Sequence, residues 1–172
     1  MKQHVTKTYL RKFNLIMAAL HAAQGLAVFA LSRDVTLPVT GTFLAFDPVM
    51  RDLQPETQTL FDMPLALLIV AFFCLSSLAH LLIATVYNKQ YNKDLGVGIN
   101  RLRWFEYASS ASVMMVAIAM LVGVYDAMSL LMIFALTAVM NLLGLVMEVH
   151  NQTTQRTNWL SFIVGCVAGI VP

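Results

Sequence analysis

Stretches of about 20 apolar residues recur along this chain, each long enough at 1.5 Å per residue to cross the roughly 30 Å hydrocarbon layer of a bilayer. No other feature limits the fold so strongly, because a chain with several such stretches buries them in lipid and against one another. They lie at about Tyr9–Leu31, Met63–Asn88, Leu102–Gly123, Ala127–Val149 and Asn158–Pro172, with charges and turn residues marking their ends. The rest of the composition agrees: 59% of the 172 residues are apolar and 12% charged, against about 25% charged in soluble domains. The expected fold class is all-α, a polytopic transmembrane bundle forming one domain over residues 1–172. The opening MKQHVTKTYLRKFN has the basic start of a signal peptide, but no small-residue cleavage site ends the run that follows, so it reads as a retained first helix. Cys74 and Cys166 fall inside apolar runs and read as small hydrophobes, not as a disulfide framework.

The segments between the runs divide by charge. Lys2, Lys7, Arg11 and Lys12 precede the first span, Lys89, Lys93, Arg101 and Arg103 lie between the second and third, and Arg156 follows the fourth. The first long loop, residues 32–62, holds Arg33 and Arg51 against Asp34, Asp47, Asp52, Glu56 and Asp62. The positive-inside rule then places the N-terminus in the cytoplasm of a cell-membrane protein and the 32–62 loop outside. Within that loop VTLPVTGTFLAF, β-branched and aromatic around Pro38 and Gly41, predicts a short β-hairpin lying on the bundle. Asn100 is placed to cap the third helix. The short Gly123–Asp126 link makes spans three and four antiparallel neighbours. The net charge of +2 shows no basic cluster interleaved with aromatics, and nucleic acid is not indicated. The last run, Asn158–Pro172, would make about 22 Å of helix and falls short of a full crossing, which reads as a piece of a longer protein.

Ionisable groups at membrane depth cost a few kcal/mol each and are functional candidates. Here they are His21, His80, Glu106 and, nearer a helix end, Glu148. Counting from the basic ends puts His80 roughly 12 Å in, Glu106 roughly 6–9 Å and His21 roughly 18 Å. Three helices thus carry a polar group in the same half of the bilayer, which predicts a shared, hydrogen-bonded cavity. Ser76, four residues before His80, and Ser110, four after Glu106, fall on the same helix faces as those groups.

Plainer readings stand beside this one. Either histidine alone is equally a neutral helix-bridging group. Glu106, one turn from Arg103, also reads as an interfacial carboxylate paired within its own helix. Glu148, close to His150 and Arg156, reads as a solvated or ion-paired helix end. Gly144, Gly165 and Gly169 read first as close helix packing, and the Met-rich stripe including Met114 and Met140 as core. There is no HExxH, CxxC, glycine-rich phosphate loop or GxSxG, and an enzyme is not indicated. His21, His80 and Glu106 have no local spacing to support a metal site. A bis-histidine haem between spans one and two, or a proton relay through the same three residues, are the alternatives from other classes.

The segment Arg103-Trp104-Phe105-Glu106-Tyr107-Ala108-Ser109-Ser110-Ala111-Ser112, the LPVTGTFL stretch of the first loop and the closing GCVAGIVP resemble the heliorhodopsins, retinal photoreceptors inserted with inverted topology relative to other microbial rhodopsins. The resemblance runs through the whole chain. It implies a rhodopsin-like seven-helix fold of which helices one to five are present here, all-trans retinal held as a protonated Schiff base, and a light sensor without ion pumping that forms homodimers. It makes Glu106 the Schiff-base counterion and places His21, His80, Ser76 and Ser110 in the Schiff-base cavity. Met114, Met140, Gly144, Gly165 and Gly169 would line the retinal pocket. One departure is plain: the family's retinal-binding lysine lies on the seventh helix, whereas Lys2, Lys7, Lys12, Lys89 and Lys93 all lie in basic flanking segments. The resemblance therefore implies further C-terminal helices of the same protein as partners, and names no signalling partner.

Overall fold

The computed structural model describes residues 6–172; Lys2, part of the N-terminal basic cluster, lies outside the described residues. In chain order the elements are α1 (Lys7–Leu31), β1 (Thr36–Asp47), β2 (Asp52–Pro64), α2 (Leu65–Ala84), α3 (Asn88–Gly96), α4 (Arg101–Leu121), α5 (Ala127–His150) and α6 (Leu160–Ile170). Helices α1, α2, α4 and α5 are each long and apolar enough to cross a membrane. They form a sequential pile: α1 packs on α2, α2 on α4, α4 on α5 and α5 on α6. Outward faces carry bare apolar side chains such as Leu26, Phe29, Leu78 and Val139. In water such a surface would aggregate, whereas lipid solvates it. Cys74 and Cys166 are free thiols on these exposed faces.

Several element boundaries differ from the sequence expectation, each for a local reason. Helix α1 starts at Lys7, two residues before Tyr9, because the Thr6 side chain caps it by accepting from Tyr9 N at 3.2 Å. The second span is shorter than Met63–Asn88. Met63 and Pro64 finish β2, and at the other end Thr85 leaves helical geometry (φ −117°, ψ −101°). The charged segment after it is not a plain loop but α3, with Tyr91 and Asp94 buried beneath it. The third span ends at Leu121 because Gly123, at φ +97°, turns the chain back so that Val124 N bonds Ala119 O at 2.9 Å. The last apolar helix covers Leu160–Ile170, inside the expected Asn158–Pro172.

The hairpin of the 32–62 loop is longer than expected, with strands of 12 and 13 residues, about 40 Å at 3.4 Å per residue. Its register shifts between Val39 and Thr40. At that irregularity Thr40 N is free to donate to Tyr125 O at 2.8 Å, in the turn between α4 and α5. Val39 is buried beside Ala119, Met120 and Leu130, so the base of the hairpin is clamped to the ends of α4 and α5. Toward its tip the hairpin leaves Phe43, Leu44, Phe46 and Leu53 exposed.

Candidate functional site

Polar side chains inside this bundle converge where α1, α2 and α4 meet. Ser76 on α2 and Ser110 on α4 are both buried, and both hydroxyls donate to the same oxygen of Glu106: to Oε1, at 2.6 Å and 2.8 Å. Oε2 has no hydrogen-bond donor among the described residues. A carboxylate held by one oxygen has its orientation set and its second oxygen available. Glu106 is not paired within its own helix, because Arg103 turns the other way and bonds Glu148 Oε1 at 2.9 Å. Glu148 Oε2 also accepts from Asn100 N at 2.8 Å, so Glu148 is an ion-paired helix end that ties α5 to the start of α4.

The histidines stand beside this carboxylate. His80 and His21 stack with ring centroids 5.5 Å apart and planes at 20°. His80 Nδ1 lies 2.7 Å from Asn14 Oδ1, and Asn14 Nδ2 donates to Leu10 O at 2.8 Å. With the Asn14 amide committed to that carbonyl, its oxygen faces the ring. Nδ1 of His80 is then the protonated donor and Nε2 the basic nitrogen. His21 Nδ1 meets Gln24 Oε1 at 2.9 Å in the same sense. Stacked face to face, the two rings do not present their nitrogens across a macrocycle, and nothing in this geometry favours a bis-histidine haem.

A cavity of about 550 Å³ opens onto these groups. Its polar side is His21, Ser76, His80, Glu106, Ser110 and Asn141, and its apolar side includes Phe72, Met114 and Met140. A smaller cavity of about 180 Å³ shares His80 and Glu106 with it and continues to Tyr91, Asn100 and Arg103. Of the residues expected at the site, Glu106, His21, His80, Ser76, Ser110, Met114 and Met140 line the larger cavity, whereas the three glycines do not. Gly144 lies flat against the Trp104 ring, and Gly165 and Gly169 pack on Met140 from the far side. They let α4, α5 and α6 approach closely and so set where Met140 stands. Asn14 and Asn141 were missed by sequence reasoning. Asn14 had a signal, since it lies seven residues before His21 on the same face of α1. It sits at the edge of the basic N-terminal segment and reads there as part of the flank.

Four membrane-length apolar helices, with a carboxylate and two histidines gathered at one cavity between them, define a polytopic membrane protein. The chain is a member of the heliorhodopsin family, whose sequence pattern matches residues 10–172. A rhodopsin-type membrane photoreceptor, generally binding retinal within a seven-helix bundle, is what that family comprises. No curated protein matches the chain.

Proposed function

We propose that this chain is the counterion-bearing part of a heliorhodopsin light sensor that does not pump ions, with Glu106 as counterion and His21 and His80 as the proton-accepting groups beside it. The observation that carries this is the one-sided anchoring of Glu106 by Ser76 and Ser110 at 2.6 Å and 2.8 Å. It leaves Oε2 without a donor among the described residues, on a side chain that lines a cavity of suitable size for a flat apolar ligand with one cationic end. All-trans retinal, when bound, would supply that cation as a protonated Schiff base together with absorption of visible light.

What the protein's residues do follows from their places. Glu106 Oε2 meets the positive end, since a cation buried here without an anion would cost several kcal/mol. Phe72, Met114 and Met140 exclude water from the rest of the slot. A proton released toward the histidines has His80 Nε2 as acceptor, with the His21 ring stacked on it at 5.5 Å between centroids. None of the described lysines reaches this depth, as Lys7, Lys12, Lys89 and Lys93 lie at the basic ends of the helices. The clustering of Lys7, Arg11, Lys12, Lys89, Lys93, Arg101 and Arg103 at one end supports a cytoplasmic N-terminus. The exposed Leu44, Phe46 and Leu53, which share one face of the hairpin, offer an apolar surface for a homodimer outside the bilayer.

The reading is tested on full-length retinal-loaded protein. Glu106→Gln is expected to shift the visible absorption strongly to the red or to abolish it by deprotonation; an unchanged spectrum sinks the counterion role. A second reading, proton conduction through His21, His80 and Glu106, is favoured by the smaller cavity that continues from His80 and Glu106 toward Arg103. Photocurrent across a voltage-clamped membrane separates the two, since a pure sensor passes none.

A further inference from the structure

A second cleft, larger than the carboxylate cavity, lies apart from it. At the basic end, α1 and α3 border an open cleft of about 830 Å³ lined by Lys7 and Arg11 of α1 and by Asn88, Lys89, Asn92 and Lys93 of α3. Among the described residues, no carboxylate lines it. The acidic residue of α3, Asp94, is buried and taken up elsewhere, by Tyr87 Oη at 3.1 Å, Gln90 Nε2 at 2.7 Å and Arg101 Nε at 3.7 Å. None of the four cations is paired with a carboxylate among the described residues. Arg11 is nonetheless fixed in place, because its Nε donates to Ala84 O at 2.8 Å, the last residue of α2. That bond aligns the guanidinium while its terminal nitrogens keep no protein partner among the described residues.

Four like charges gathered around one concavity repel one another unless an anion sits among them. The position of the cleft says which kind. Helix α3 starts four residues after α2 leaves the apolar span, and Val86 and Val97 on either side of it are exposed. A short helix with bare valines at its ends and lysines over the cleft lies where hydrocarbon gives way to headgroups. We propose that this cleft binds the phosphate of an anionic phospholipid headgroup, with Lys7, Arg11, Lys89 and Lys93 as the cationic wall and the Asn88 and Asn92 side chains as polar floor. Glu106 takes no part in it, so the proposal stands or falls apart from the photoreceptor reading.

The test is native mass spectrometry of the full-length protein delipidated in detergent and then titrated with phosphatidylglycerol, phosphatidylcholine or inorganic phosphate. Phosphatidylglycerol is expected to be retained over phosphatidylcholine. Lys89→Ala/Lys93→Ala, at two exposed positions with no hydrogen bond to lose, is expected to weaken that retention about 20-fold. Arg33→Ala/Arg51→Ala, at the opposite end of the bundle, should leave it unchanged. Equal retention of the two lipids, or an equal loss in both double variants, overturns the site. Tight binding of inorganic phosphate without preference for phosphatidylglycerol assigns the cleft to a soluble phosphate and overturns the lipid.

Discussion

The Ser76 hydroxyl of α2 reaches across the helix interface to Glu106 of α4, 2.6 Å from Oε1, and meets there the Ser110 hydroxyl from Glu106's own helix. The two bonds have the same chemistry and different structural consequences. Ser76 ties two helices together, whereas Ser110 orients the carboxylate within one. Ser76→Ala is therefore expected to lower the stability of the detergent-solubilised protein by about 1–2 kcal/mol, the range of a hydrogen bond to a charged group reduced for a membrane setting. Ser110→Ala should cost less than half as much. Thermal unfolding of the two variants checks the order, and equal losses would mean that the interhelical bond carries no special weight.

The tautomer of His80 gives a second prediction. Asn14 holds it, through the 2.7 Å contact to Nδ1 and the 2.8 Å bond from the Asn14 amide to Leu10 O. Nitrogen-15 spectra of His80 in the neutral range should show a single form protonated at Nδ1. Asn14→Ala is expected to release the ring into a mixture with the Nε2-protonated form, which water favours. A wild-type His80 protonated at Nε2 would reverse the assigned donor and remove the basic nitrogen assigned to the cavity.

Much of this architecture is legible before any coordinates, and the gaps have definite causes. Apolar run length places α1, α2, α4 and α5 because the bilayer thickness fixes how long a crossing helix has to be. Counting residues from the basic ends brings His21, His80 and Glu106 to similar depth, since rise per residue in a helix hardly varies. Neighbours across helices are another matter. That Arg103 bonds Glu148 and not Glu106 depends on which way two helices rotate against each other, and spacing within one helix carries no information about that. Asn14 is hidden for a similar reason, as its role exists only through His80 on another helix. Helix α3 is hidden because a polar run of nine residues has no apolar periodicity strong enough to separate it from a charged loop. Gly144 reads equally as pocket wall or packing surface until Trp104 is seen lying on it.

That last contact separates glycines that look alike in sequence. A Cβ at Gly144 would run into the Trp104 ring, with even its more distant atom Cε3 only 2.8 Å away. The ring is rigid and half-buried against α5, so it cannot yield cheaply. Gly144→Ala is expected to cost about 1–3 kcal/mol by overpacking, outweighing the gain of up to about 1 kcal/mol from better helix propensity. At Gly169 the nearest obstacle is the Met140 side chain, a flexible thioether that can swing aside. Gly169→Ala should be close to neutral in stability, while its shift of Met140 should move the absorption of retinal-loaded protein by a few nanometres at most. Thermal unfolding of both variants tests the contrast, and a Gly144→Ala protein as stable as wild type would show that the Trp104 ring is not clamped between α4 and α5.

The link that makes α4 and α5 antiparallel neighbours is also sensitive to acid. Asp126 caps α5, with Ser129 N at 2.8 Å and Ser129 Oγ at 2.9 Å both donating to its Oδ2. The backbone bond from Ser129, and then the side-chain bond, hold the Asp126 carboxyl below its ordinary value of 3.8. A lowered folded-state value means that the unfolded chain takes up the proton first. The stabilisation is therefore complete above the ordinary value and disappears as pH falls through the lower folded value. Asp126→Ala should lower the thermal midpoint at neutral pH, because α5 loses its N-cap and the adjoining Thr40–Tyr125 bond loses a fixed neighbour. Asp126→Asn keeps an acceptor for Ser129 N and should retain most of the neutral-pH midpoint, but without this residue's share of the acid dependence. Thermal midpoints of wild type and both variants between pH 3 and pH 7 check this. If the Asn variant falls with acid as steeply as wild type, the sensitivity belongs to other carboxylates and the cap acts through geometry alone.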